Sequence, residues 1–139
     1  MTMEQPGILH IEADYDDATQ MSRILRKYRI ANHVETVADG EEALRLLRAG
    51  FAARAELVLL GSSLPGMPAM EAVIRIRSLP GMELVPIIVC CGAPEEEQQV
   101  KQWGMKRVCS MSKPAGFFKL LECIQKLEMH WQVFGSKPG

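Results

Sequence analysis

Leu57-Val58-Leu59-Leu60 is an unbroken apolar run, entered from Glu56 and left through Gly61-Ser62-Ser63. Successive side chains of a strand point to opposite faces, so a strand that is apolar at every position must be covered on both sides. Ile8-Leu9-His10-Ile11 and Ile87-Ile88-Val89 have the same character, and His33 to Val37 is a weaker candidate of the same length class. Arg107 to Met111 reads as a fifth strand.

Helical periodicity fills the intervals. Met21, Ile24, Leu25 and Tyr28 fall at i, i+3, i+4 and i+7, and Asp16 or Asp17 is placed to cap that helix. Asp39 followed by Glu42 resembles a capping box, Leu44 and Leu47 give the next helix its core face, and Gly50 is a stop. Gly61 to Pro68 is dense in turn residues. Met70, Val73 and Ile74 then begin a third helical face, which Pro80-Gly81 breaks. Glu95, Glu96 and Glu97 suit the positive end of a fourth helix that ends at Gly104. Phe117, Leu120, Leu121, Ile124 and Leu127 mark a fifth, extending toward Trp131.

Five strands alternating with five helices imply an α/β, three-layer, doubly wound (βα)5 unit with a parallel sheet. Right-handed crossovers and a single five-strand unit favour the flavodoxin-like order 2-1-3-4-5. Such a sheet binds ligands beyond the carboxyl ends of its first and third strands. Attention therefore falls on Glu12, Ala13 and Asp14 after the first strand and Gly61 after the third. Cys91 ends the fourth strand, and Lys113 follows the fifth.

The 139 residues suit one domain: residues 1–7 as an N-terminal extension, 8–134 as the folded unit and 135–139 as a frayed tail. Sixteen basic residues against seventeen acidic ones make no electrostatic case for nucleic acid. No apolar run approaches the roughly 20 residues of a membrane span, and the start holds no signal-peptide core. A cytoplasmic location is the expectation. Cys90, Cys91, Cys109 and Cys123 form no Cys-x-x-Cys pair, and His10, His33 and His130 stand apart, so no zinc site is expected.

Four segments carry a resemblance: Ile8 to Asp17, Leu57 to Met67, Val85 to Gly92, and Lys113-Pro114. They resemble the signature segments of CheY-like response-regulator receivers of two-component phosphorelays. Glu12 with Asp16-Asp17, Ile30-Ala31-Asn32, Asp39-Gly40-Glu41-Glu42-Ala43-Leu44 and the late Trp131 resemble the phytochrome-associated single-domain regulators. In that family two acids after the first strand and an aspartate after the third hold Mg²⁺, and the aspartate accepts the phosphoryl group. A Thr or Ser ends the fourth strand, an aromatic often lies on the fifth, and a Lys precedes a Pro. A carboxylate attacks phosphorus in line while metal and lysine screen the transferring oxygens.

Residue by residue, this chain keeps Glu12 and Lys113-Pro114. It has Ala13 for the second acid, Gly61 for the phosphoacceptor, Cys91 for the hydroxyl residue and Ser110 for the aromatic. The resemblance thus implies a pseudo-receiver: no phosphorylation, no bound metal, no cofactor and no catalysis, with output through protein contacts. The expected partner is a histidine kinase or a downstream effector. Lys113 is expected to pair with Glu12 or Asp14; Asp14 otherwise reads as a loop acid or a helix-capping neighbour. Two carboxylates ~5 Å apart repel by about 3 kcal/mol at an effective dielectric of 20, so losing two of the three acids relieves the site. The candidate interface residues are Trp103, Ser110, Phe117, Trp131 and Phe134, with a homodimer through the fourth helix, fifth strand and fifth helix as the expected assembly.

Two other readings share the fold. A flavodoxin-like small-ligand protein needs a phosphate-cradling loop after the first strand, and Glu12 to Asp17 would repel phosphate. A thiol redox sensor would use Cys90, Cys91 or Cys109 and needs an exposed thiolate.

Overall fold

Burial separates the centre of the sheet from its edges. In the computed structural model, which describes residues 7–30 and 33–127, strands β1 (Gly7–Ile11) and β4 (Ile87–Cys91) are buried at every position. Strand β3 (Ala55–Gly61) is buried from Leu57 onward. The edge strands β2 (His33–Val37) and β5 (Val108–Ser112) are mostly half-buried, which is why their sequences mix Glu, Thr, Ser and Cys with Val and Met. All pairings are parallel, in the order β2-β1-β3-β4-β5.

Five helices cover the two faces: α1 (Tyr15–Lys27), α2 (Gly40–Arg48), α3 (Ala69–Arg77), α4 (Pro94–Gln102) and α5 (Phe117–Lys126). Leu9, Ile11, Val58, Leu60, Ile87 and Val89 meet α2, α3 and α4 in one core. Ile8, Leu57, Leu59, Ile88 and Met111 meet α1 and α5 in the other. The three-layer doubly wound arrangement follows from that alternation.

Three local expectations are corrected. Helix α1 is capped by Asp14, whose side chain accepts from the Asp17 N–H at 2.9 Å, and not by Asp16 or Asp17. Helix α3 buries Ala69, Ala72, Val73 and Ile76, leaving Met70 and Ile74 exposed. Both sets have helical spacing, and the buried face is the one that carries the two alanines. Strand β5 begins at Val108, one residue late, because Arg107 has φ +57°, which no strand residue adopts. Asp39 caps α2 as expected, accepting from Glu42 N–H at 2.8 Å.

Candidate functional site

The carboxyl ends of β1, β3 and β4 and the segment after β5 converge on one set of side chains. Glu12 follows β1 and is buried. Its Oε1 lies 2.9 Å from Lys113 Nζ, and its Oε2 accepts from the Asp14 N–H at 3.1 Å. Lys113 reaches from the far side, its own N–H donating to the Cys91 carbonyl at 2.8 Å. Its ammonium also donates to Asp17 Oδ2 at 2.8 Å, so one cation bridges two carboxylates. Burial pulls the Lys113 pKa down, but the hydrogen bonds to Asp17 and Glu12 outweigh it and hold it above the ordinary lysine value. The pairing with Glu12 matches expectation. The second partner is Asp17 and not Asp14, because Asp14 caps α1 and thereby turns the first helical turn toward Lys113.

Gly61 ends β3 buried, directly beside Glu12. A Cβ on Gly61 would stand 3.1 Å from Glu12 Cδ and 2.9 Å from Oε1, the latter closer than real Cβ atoms come. The Glu12 carboxylate therefore occupies the space that a side chain at position 61 would need. Ala13 is exposed and offers no donor oxygen from its side chain. Cys91 is buried in the core shared with α2, α3 and α4, and its thiol donates to the Val89 carbonyl at 3.6 Å. Burial first, then Glu96 and Glu97, push that thiol up to about 11.

A second polar bridge lies beside the first, and the sequence reading gave it no role. Glu96, in the first turn of α4, accepts from the Gly92 and Ala93 N–H groups at 2.8 and 3.0 Å through Oε1. Its Oε2 accepts from Ser62 Oγ at 2.9 Å and, more loosely, from Ser63 Oγ at 3.5 Å. Burial would raise the Glu96 pKa, but the Ser62 hydroxyl and the two backbone donors lower it further, leaving it below its ordinary value. One carboxylate thus ties the loop after β3 to the start of α4. Pro94 at the first helical position, with a Glu two residues later, was the available signal.

The resembled family would place Mg²⁺ here. The donor set does not fit it. A hard divalent cation wants several oxygen ligands; Ala13 and Gly61 supply no side-chain oxygen, and Glu12 is committed to an ammonium and a backbone N–H. Among the described residues no group of three or more His, Cys, Asp and Glu side chains is placed to hold a metal ion. A flavin phosphate fares no better, since the α1 N-terminus is capped by Asp14 and followed by Asp16 and Asp17.

The interface candidates divide. Trp103 is half-buried against the α2–α3–α4 core, and Phe117 stacks on Tyr28 with ring centroids 4.1 Å apart. Ser110 lines a cavity of about 510 Å³ beside α4 and β5, shared with Val100, Val108, Cys109 and Lys126. Trp131 and Phe134 lie outside the described residues, as do residues 1–6 and 135–139 of the expected extension and tail. Among the described residues no helix is long and apolar enough to cross a membrane.

No family model matches the chain, and no curated protein matches it. Solved structures do. The bacteriophytochrome response regulator RtBRR is 26% identical, with a TM-score of 0.79, over 98% of this chain and 85% of that one. The bacteriophytochrome response regulator AtBRR is 25% identical with a TM-score of 0.81, over 94% of this chain and 97% of that one. The chemotaxis response regulator CheY4 of Vibrio cholerae is 25% identical with a TM-score of 0.71, over 91% of this chain and 99% of that one.

Proposed function

We propose that this chain, a CheY-like receiver domain of the two-component response-regulator type, signals without accepting a phosphoryl group. What carries the proposal is the occupation of the acceptor position. Gly61 has no nucleophile, and the lysine that would screen a phosphoryl oxygen is bound instead by Glu12 and Asp17. An in-line transfer needs a nucleophile, a counter-charge and room, and none is free here.

The domain, expected over residues 8–134 and entered one residue earlier because Gly7 already belongs to β1, is a signalling module and not an enzyme; it works in the cytoplasm by binding a protein partner, a histidine kinase or a downstream effector. The Glu96 bridge supports one dominant conformation. In the resembled family phosphate draws the fourth-strand hydroxyl inward and an aromatic follows, and Cys91 and Ser110 stand at those positions here. A resident carboxylate joins the loop after β3 to the start of α4 with no modification. A homodimer through α4, β5 and α5 belongs to the same proposal, and light scattering across a concentration series reads it: a chain that stays monomeric at high micromolar concentration removes the dimer alone.

Incubation with acetyl phosphate and Mg²⁺ tests the central claim. We expect no phosphoprotein by phosphate-affinity electrophoresis. Gly61→Asp alone is expected to remain unphosphorylated, since Ala13 still supplies no metal ligand. Ala13→Asp with Gly61→Asp is the smallest change expected to regain incorporation. Acyl phosphate on the unmodified chain would overturn the proposal.

A further inference from the structure

Of the four cysteines, Cys90, Cys91 and Cys123 are buried and Cys109 is half-buried; burial foremost pushes the Cys90 and Cys91 thiols up to about 12 and about 11. The other two are arranged differently. Cys109 lies on the edge strand β5, half-buried, with its side chain toward α5; Cys123 lies on α5, facing back. Both Sγ atoms sit 3.5 Å from the same acceptor, the Ser110 carbonyl oxygen. The two thiols are neighbours across the β5–α5 contact, near the opposite end of the strand from Lys113. Cys109 also lines the 510 Å³ cavity with Lys126, which gives a small reagent a way in.

The two sulfurs are not equivalent. The neighbouring Cys123 thiol lowers the Cys109 pKa below its ordinary value most; burial opposes it and Lys126 reinforces it. Cys123 is raised by the same contact and by its burial. Cys109 is the half-buried sulfur that lines the cavity, whereas Cys123 is buried; the thiolate is the form that attacks an oxidant, so Cys109 is the nucleophile and Cys123 the thiol that resolves it.

We propose that Cys109 and Cys123 are a reversible oxidation site that closes to a disulfide between β5 and α5 when a hydroperoxide reaches the cavity beside Lys126. The Cys109 thiolate attacks one peroxide oxygen and the O–O bond breaks. Cys109 becomes a sulfenic acid, and the alkoxide leaves as alcohol after taking a proton. The Cys123 sulfur then attacks the Cys109 sulfur, forming the S–S bond and expelling hydroxide, which leaves as water with the Cys123 proton. In sum, two thiols and one hydroperoxide give a disulfide, an alcohol and a water; the sulfurs lose two electrons and the O–O bond gains them. A dithiol reverses the step by exchange. The bond would fix α5 on β5, within the face assigned above to partner binding, and the chemistry stands whether or not the domain is phosphorylated.

The test treats the full chain with stoichiometric hydrogen peroxide, then counts thiols under denaturing conditions and maps peptides by mass. The expected result is a fall from four free thiols to two, with the bond mapped within one chain to Cys109–Cys123 and reversed by dithiothreitol. The melting temperature of the oxidised chain should rise by about 10 °C, since the bond removes loop-closure entropy from the unfolded chain. Cys123→Ser should leave Cys109 as a sulfenic acid that dimedone traps, whereas Cys109→Ser should leave Cys123 unreacted. Four thiols after treatment, a bond mapped to Cys90 or Cys91, or disulfides only between chains would each overturn the proposal on the unmutated protein, whatever the variants do.

Discussion

Lys113→Met should lower the unfolding free energy by about 2–4 kcal/mol at neutral pH, read as a shift of the urea midpoint at constant slope. The buried Glu12 carboxylate has the Lys113 ammonium 2.9 Å away, and Asp17 shares the same cation at 2.8 Å. Removing the cation leaves a buried charge with one backbone N–H as its remaining partner, plus a second carboxylate nearby. Cutting a buried pair on one side is costly for that reason, and the partial exposure of Asp17 places the loss toward the lower end of the range. The Glu12→Gln, Lys113→Met double variant should be more stable than Lys113→Met alone, because the uncompensated charge is gone. An idle surface lysine behaves otherwise: its loss would fall within about 0.5 kcal/mol and show no coupling to Glu12. The same double-mutant cycle separates pairing from packing of the lysine stem, since packing is lost equally with or without Glu12.

Much of this site is legible in the sequence, and the part that is not has a physical boundary. The fold followed from runs such as Leu57–Leu60, which tolerate only a doubly covered strand. The positions of Ala13, Gly61 and Cys91 followed from where such strands end. What local sequence does not encode is which of several nearby acids a long side chain will choose. Asp14, Asp16 and Asp17 are alike in composition, and the choice fell to the cap: once Asp14 binds the Asp17 N–H, Asp14 is spent and Asp17 is turned to Lys113. Residues that meet only through tertiary packing were equally hidden. Glu96 reads as a first-turn acid, and its bond to Ser62 spans 34 positions. Cys109 and Cys123 have no motif spacing; the β5–α5 contact alone makes them neighbours. For α3 the two candidate faces differ by a rotation that hydrophobicity cannot rank, and the face that is buried carries Ala69 and Ala72.

Acid should destabilise this domain earlier than its carboxylates alone would require, and His10 is the cause. His10 lies within β1, paired in register with Thr36 and Leu59, and is 1% exposed. Its Nδ1 has no hydrogen-bond partner among the described residues. Burial, and then the Lys113 charge, lower its pKa from 6.5 to about 4, against a smaller opposing pull from Asp17. A histidine held neutral in the folded state takes up protons mainly in the unfolded chain. The unfolded chain therefore gains protons as pH falls below 6.5, and stability falls with it until the folded histidine is itself protonated near pH 4. Across that window the single group accounts for about 3 kcal/mol, of which about 2 kcal/mol is lost by pH 5. His10→Leu removes the titration and the unpartnered nitrogen together. At pH 7 the variant should match or modestly exceed the parent; at pH 5 it should be more stable by about 2 kcal/mol beyond any difference at pH 7. Urea unfolding of both proteins at the two pH values measures this directly. Parallel pH profiles would mean that His10 is protonated in the fold, with a partner for its ring that this arrangement does not provide.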